Sequence, residues 1–184
     1  MKEADILIKN GTILTMDPQQ TRIEKGFLCI RGDTISAVAK GDPGEFRPGK
    51  TIDAKGGLIL PGLINGHTHV ESSMLHITQY ARAVVPRGTS AVVTDLHEIT
   101  NVCGLDGAKQ ILRLADGLPL DVFLMVPSCV PATILETTGA HVTADGVQSA
   151  LAWRNSIGLG EVMDFPAVRE GDPEALLKLS LSRG

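Results

Sequence analysis

The sequence is poor in aromatic rings, with one Trp, one Tyr and four Phe among 184 residues. A surface that stacks nucleic-acid bases needs exposed rings, so this composition speaks against one. It also has no Lys/Arg-rich run, and 17 basic against 21 acidic side chains give a net charge of -4. Neither nucleic acid nor an anionic membrane is therefore an expected partner. Cysteine is scarce as well: Cys29, Cys103 and Cys129 are odd in number and never spaced as CxxC. That excludes a disulfide framework and a cysteine-ligated structural zinc, and buried, reduced thiols are expected instead. No apolar run reaches the roughly 18 residues of a membrane span. The opening MKEADILIKNG carries charges but no apolar signal-peptide core, so a cytoplasmic protein is expected. What is present is 43% hydrophobic residues and 20 glycines scattered without a repeat, enough for a packed core and incompatible with a disordered or collagen-like chain.

Residues 1–56 read as short strands and turns. Extended runs over 6–9 and 12–16 flank Asn10-Gly11, a strong hairpin signal, and runs over 26–31 and 34–39 flank Gly32-Asp33. A Gly/Pro-rich loop over 41–49 leads into short extended pieces at 51–54 and 58–60. Nothing here has helical period, and the segment is expected to be one sheet or half of a sandwich. After Gly56-Gly57 the pattern changes to apolar strands alternating with helical stretches. Strands are expected at 62–65, 89–94, 120–126 and 157–162, with helices at 75–85, 106–115, 144–155 and 173–181. Pro86 and Gly88 stop the first helix, Gly117 stops the second, Thr143 caps the third, and Asp172-Pro173 opens the fourth. Four strand–helix units in a row point to a parallel sheet. Units of this size would need to be doubled to reach the ~250 residues of a (β/α)₈ barrel. A doubly wound open sheet is the alternative, but no Gly-rich phosphate fingerprint follows the first strand.

The residue types that carry chemistry gather at the ends of these strands. His67 and His69 sit two apart after the first strand, a spacing that puts both imidazoles on one face of an extended chain. Neutral imidazoles converging on a divalent ion are the natural use of such a pair. Two rim histidines bonded to backbone are the structural alternative. Glu161 closes the fourth strand, where an acid must be paired, ligated or exposed. Asp95, His97 and Glu98 follow the second strand and suit ligand orientation, proton transfer or further ligation. Glu71 lies just past the histidine pair and is a candidate substrate contact. Ser72 or Ser73 is expected to cap the next helix. Ser128, in the rigid Pro127–Pro131 loop, is a candidate hydrogen-bond partner for substrate, whereas Cys129 has no adjacent base to make it a nucleophile. His76 and His141 are expected to play ordinary solvated roles.

Taken together, these segments resemble the amidohydrolase superfamily. IKNGTILT and IDAKGGLILPGLINGHTH carry the general resemblance. HTHVESSML, TDLHEITNV and PSCVPAT are more particular to its adenine deaminases, and the matching blocks run almost continuously from Leu58 onward. The resemblance implies a β-sandwich segment over 1–56 beside a metal-dependent (β/α)₈ barrel whose first four units occupy 57–184. It implies His67 and His69 as metal ligands and Glu161 as a ligand or bridge, with Mn²⁺ or Fe²⁺ ahead of Zn²⁺. Asp95, His97, Glu98 and Glu161 then become the catalytic candidates, with adenine as substrate and a homo-oligomer as the assembly.

The implied reaction is hydrolysis of adenine to hypoxanthine and ammonia. The zinc deaminases of the cytidine type need a PCxxC pair, which this sequence lacks. A hydantoinase-like or dihydroorotase-like enzyme is the rival within the superfamily, but many of those use a carboxylated lysine where this chain has Glu161. A non-catalytic interaction fragment is the rival outside it. The superfamily draws further histidines and a catalytic Asp from later strands. With about half a barrel before Gly184, the isolated monomer is expected to be weakly stable or to dimerise, and to turn over poorly.

Overall fold

The computed structural model describes residues 1–182 and divides into two compact units, Met1–Pro61 and Gly62 onward. The first is a five-stranded mixed sheet. β1 (Lys2–Leu14), β2 (Arg22–Arg31) and β3 (Thr34–Lys40) form an antiparallel meander, and β4 (Phe46–Asp53) and β5 (Leu58–Ile59) both run parallel to β1. Gly32 and Asp33 make the expected tight turn, with Gly32 at φ 61° and its N–H donating to Asp5. Ala4, Leu7, Phe27 and Cys29 form the small core, where Phe27 meets Phe46 edge-on at 5.8 Å.

Asn10-Gly11 is not a hairpin. β1 runs straight through it, with Asn10 at φ 59° and a slip in the register with β2 on either side of Gly11. The dipeptide marks the place where β1 changes its parallel partner. Lys2–Lys9 pair with β4, Thr12 and Ile13 pair with β5, and the Asn10 side chain donates to Asp53 at 3.1 Å. Glycine at 11 leaves room for the Ile59 side chain, whose end a Cβ there would approach to 2.6 Å. A bulge and a hairpin ask for the same residues, and only the arriving partner strands distinguish them.

The second unit is a four-stranded parallel sheet in the sequential order β6 (Leu63–Thr68), β7 (Thr89–Thr94), β8 (Asp121–Val126) and β9 (Ser156–Leu159). Between and after the strands run α1 (Ile77–Val84), α2 (His97–Ala115), α3 (Ala144–Leu151), α4 (Phe165–Glu170) and α5 (Pro173–Leu181). The side chains of Val92, Leu124 and Val126 are fully buried, in one core with Ile77 and Ala81 of α1, Ala108 and Leu112 of α2, and Val147 and Ala150 of α3. Fully buried apolar strands are what a parallel sheet with covering helices requires. Leu63, Ile64 and Ile157 remain exposed on the outer two strands.

Thr143 caps α3 and Asp172 caps α5 as expected, each accepting a backbone N–H. α1 differs: its cap is His76, whose ring accepts from the Thr78 N–H, rather than Ser72 or Ser73. Those serines lie in a single 3₁₀ turn, Val70–Ser73. α2 starts nine residues earlier than its periodicity indicates, kinks at Gly104, and therefore lifts His97 and Glu98 into a first helical turn. α4 was not legible at all, and Cys103 is exposed rather than buried. Among the described residues no helix is long and apolar enough to cross a membrane.

Candidate metal centre

The parallel sheet brings the ends of β6, β7 and β9 to one place. His67 lies within β6, with His69 just past its end, and their rings meet edge-on with centroids 5.2 Å apart. His97, from the first turn of α2, stacks on His69 at 5.5 Å. Asp95 follows β7 and is almost completely buried. Glu161 follows β9, and its Oε1 lies 3.2 Å from His69 Nε2.

The other nitrogen of His69 is held from behind. Its Nδ1 faces Glu98 Oε2 at 3.2 Å, and the opposite oxygen of Glu98 accepts from the Ser72 hydroxyl at 2.6 Å. A carboxylate on Nδ1 sets the tautomer and leaves the lone pair of Nε2 aimed at the centre. Asp95 lies between the other two rings, 3.6 Å from His67 Nδ1 and 3.7 Å from His97 Nδ1. Its Oδ2 also accepts the Glu161 N–H at 3.1 Å. Gly160 makes that approach possible, because a Cβ at 160 would lie 2.7 Å from the same oxygen.

Burial and neighbours set the charge states. Burial pulls the His69 imidazole down, but the hydrogen bond with Glu98 and the charges of Glu98, Asp95 and Glu161 outweigh it and raise its pKa. Burial dominates at His97 and lowers its pKa, with Asp95 opposing and His69 reinforcing the shift. Burial also pushes Glu98 up, yet hydrogen bonds from Ser72, the backbone and His69 leave it below the ordinary value. Glu71 is raised, chiefly by burial.

Two groups of donors are close enough to share an ion. His67, His69 and Glu161 form one, and Asp95, His97 and Glu161 the other, with each group's ligand atoms within 4.8 Å of one another. Glu161 belongs to both. Asp95 Oδ1 and both ring nitrogens of His97 are buried without a hydrogen-bond partner, an arrangement that is costly unless something polar sits against them. Imidazole and carboxylate donors with orphaned buried atoms fit a first-row divalent cation.

Six of the eight sequence candidates thus converge directly: His67, His69, Asp95, His97, Glu98 and Glu161. The other two are committed elsewhere. Glu71 Oε1 accepts the Ile99 N–H at 3.3 Å and so ties the first turn of α2 to the segment after β6. Ser128 is buried, and its hydroxyl donates to the Glu161 carbonyl at 2.6 Å. The link from Ser72 to Glu98 was missed in the sequence; serine three residues after a histidine carries no signal for it.

Comparison with known proteins follows the same lines. The amidohydrolase family model matches residues 58–174, and the chain belongs to that family. Within it, the chain is 49% identical over 183 residues to an adenine deaminase of Dehalococcoides mccartyi strain CBDB1, covering 99% of this chain and 31% of the relative. It is 46% identical to an adenine deaminase of Halalkalibacterium halodurans, covering 96% of this chain and 30% of that protein. The chain therefore spans about a third of the length of the curated relatives it matches. Among solved structures, an adenosine deaminase from Xanthomonas campestris with bound zinc superposes with a TM-score of 0.62 at 13% identity, over 97% of this chain and 55% of that one. That likeness speaks to the fold.

Proposed function

We propose that this chain forms the first part of an adenine deaminase, and that its two donor groups hold divalent metal for hydrolysis of adenine to hypoxanthine and ammonia. The observation that carries the reading is the convergence of two donor groups on one shared carboxylate, Glu161, at the ends of three parallel strands. In this reading the sheet is the first half of a barrel whose later strands supply further ligands, and the first unit contributes to a sandwich. Manganese or iron is proposed ahead of zinc on the resemblance to adenine deaminases, the donor set itself being three imidazoles and two carboxylates, and the assembly is a homo-oligomer.

A divalent ion in such a set supplies a Lewis acid and a nucleophile from water near neutral pH. The chain's own residues do the binding and positioning. His67, His69 and Glu161 would hold metal as one group, and Asp95, His97 and Glu161 as the other. Glu98 holds the His69 ring in register. Deamination at C6 needs a proton at a ring nitrogen and another at the departing amine. In this reading Glu161 and His97 are engaged as ligands, and the proton carriers come from the later strands of the barrel. Asp95 is tied by the Glu161 N–H, and Glu98 by Ser72 and His69. Glu71 and Ser128 then act as supports.

The direct test uses the full-length protein bearing this sequence, loaded with Mn²⁺, and follows ammonia release from adenine and, in parallel, ring opening of hydantoin or dihydroorotate to the N-carbamoyl acid. Turnover of adenine alone is the expected result. Turnover of a cyclic amide with none of adenine would replace this reading with another amidohydrolase activity, and turnover of neither would favour a non-catalytic role.

A further inference from the structure

Glu161 is an unusual place for a precisely aimed ligand. It lies two residues beyond the last residue of β9, outside any strand or helix, and its side chain is half-exposed. Nothing in the local sequence Leu159-Gly160-Glu161-Val162-Met163 would hold such a residue still. A carboxylate shared by two donor groups nevertheless has to be held within a fraction of an ångström to serve both.

The peptide groups on either side of the Glu161 Cα are held by two side chains from two other strand ends. Its N–H donates to Asp95 Oδ2, from the end of β7, at 3.1 Å. Its carbonyl accepts from the Ser128 hydroxyl, from the loop after β8, at 2.6 Å. Both partners are almost wholly buried, so water does not compete for either bond. The preceding residue is kept close by the Gly160 N–H, which donates to the Val126 carbonyl at 2.7 Å. Behind Ser128, Cys129 Sγ lies 3.1 Å from the same hydroxyl and accepts the Asp164 N–H at 3.4 Å, so the next turn of chain is tied to the same loop. Residue 161 is therefore pinned on both sides while its carboxylate is left free.

We propose that Ser128 is a positioning residue: with Asp95 it clamps the backbone of Glu161 so that one carboxylate addresses both donor groups. Its hydroxyl is used within the protein and does not face substrate. This inference rests on the metal-binding reading above and adds to it the residue that gives Glu161 its aim. It also accounts for glycine at 160, since any side chain there would collide with the Asp95 arm of the clamp.

Two measurements test it. In the unmodified chain without metal, the clamp predicts that the Glu161 amide exchanges with deuterium far more slowly than those of Val162 and Met163. Neither of those has a backbone or side-chain hydrogen-bond acceptor in the described structure. Exchange of Glu161 as fast as its neighbours would overturn the clamp whatever the metal does. In S128A, Mn²⁺ affinity is expected to fall by about 10-fold or more, the lower range for loss of a group supporting a ligand, while S128T, which keeps the hydroxyl, restores it. The kcat of the full-length Mn²⁺ enzyme falls in S128A with little change in KM. An S128A variant that binds Mn²⁺ like the parent but raises KM for adenine would make Ser128 a substrate contact and sink the proposal. If the parent chain bound no Mn²⁺ at all, the metal reading would fail first, and the exchange result would still decide the clamp.

Discussion

Glu161→Ala is expected to cost the protein its metal: Mn²⁺ affinity should fall by more than the roughly 10–100-fold that losing a mere supporting group causes. The reason is the sharing. His67 and His69 retain only two imidazoles once Glu161 is gone, and Asp95 and His97 retain one carboxylate and one imidazole. Neither pair alone is a complete set for a divalent ion. The backbone bonds to Asp95 and Ser128 survive the substitution, so the fold around residue 161 is expected to be kept. Glu161→Gln makes the sharper comparison, since it keeps the size and the clamp while removing the charge. Calorimetric titration with Mn²⁺ checks both variants, and parent-like affinity in Glu161→Gln would show that the carboxylate is not a ligand.

Leu124→Ala is the substitution expected to do most damage to the fold. Leu124 is in the middle of β8, fully buried, in register with Thr94 of β7 and Ser156 of β9, and belongs to the core of the second unit. Removing a leucine side chain from such a site destabilises by about 2–5 kcal/mol, because the rigid surroundings close the cavity only in part. Leu135, by contrast, is 91% exposed, and Leu135→Ala should change stability by no more than about 0.5 kcal/mol. Urea unfolding distinguishes the two through their midpoints. Equal midpoints would mean that the sheet does not carry the core described above.

How legible this protein was depends on the range of the interactions involved. β7 was read to the residue from TSAVVT, because a short, continuously apolar run flanked by breakers has few alternatives. α5 was equally clear from Asp172-Pro173, where the cap and the rigid first residue announce the start. The first turns of α2 were hidden for the converse reason. Their N-cap is Leu96, in the left-handed conformation at φ 52° with no capping side chain, and Gly104 interrupts the helix soon afterwards. The hairpin expected at Asn10-Gly11 failed because the partner strands that turn it into a bulge come from residues 46–59.

The same division runs through the candidate site. The histidine pair and the acids at strand ends could be picked out because their residue types are chemically distinctive. Their order in space could not, since the bonds that arrange them join Ser72 to Glu98, Asp95 to Glu161 and Ser128 to Glu161, across 26, 66 and 33 residues. Ser128 was singled out as a substrate contact, whereas its hydroxyl donates to the Glu161 carbonyl. A hydroxyl in a rigid loop has the same appearance in sequence whether it faces a ligand or a neighbouring carbonyl.

If the proposed metal centre is right, one small region gathers three of the five histidines around a divalent ion, and the histidines themselves report on it. Substoichiometric Mn²⁺, a paramagnetic ion, added to the chain while the imidazole resonances are followed by NMR should broaden His67, His69 and His97 together. His76, which caps α1, and His141, exposed in a loop, should broaden less and only at higher Mn²⁺. Uniform broadening of all five, or none at any of the first three, would contradict the metal centre.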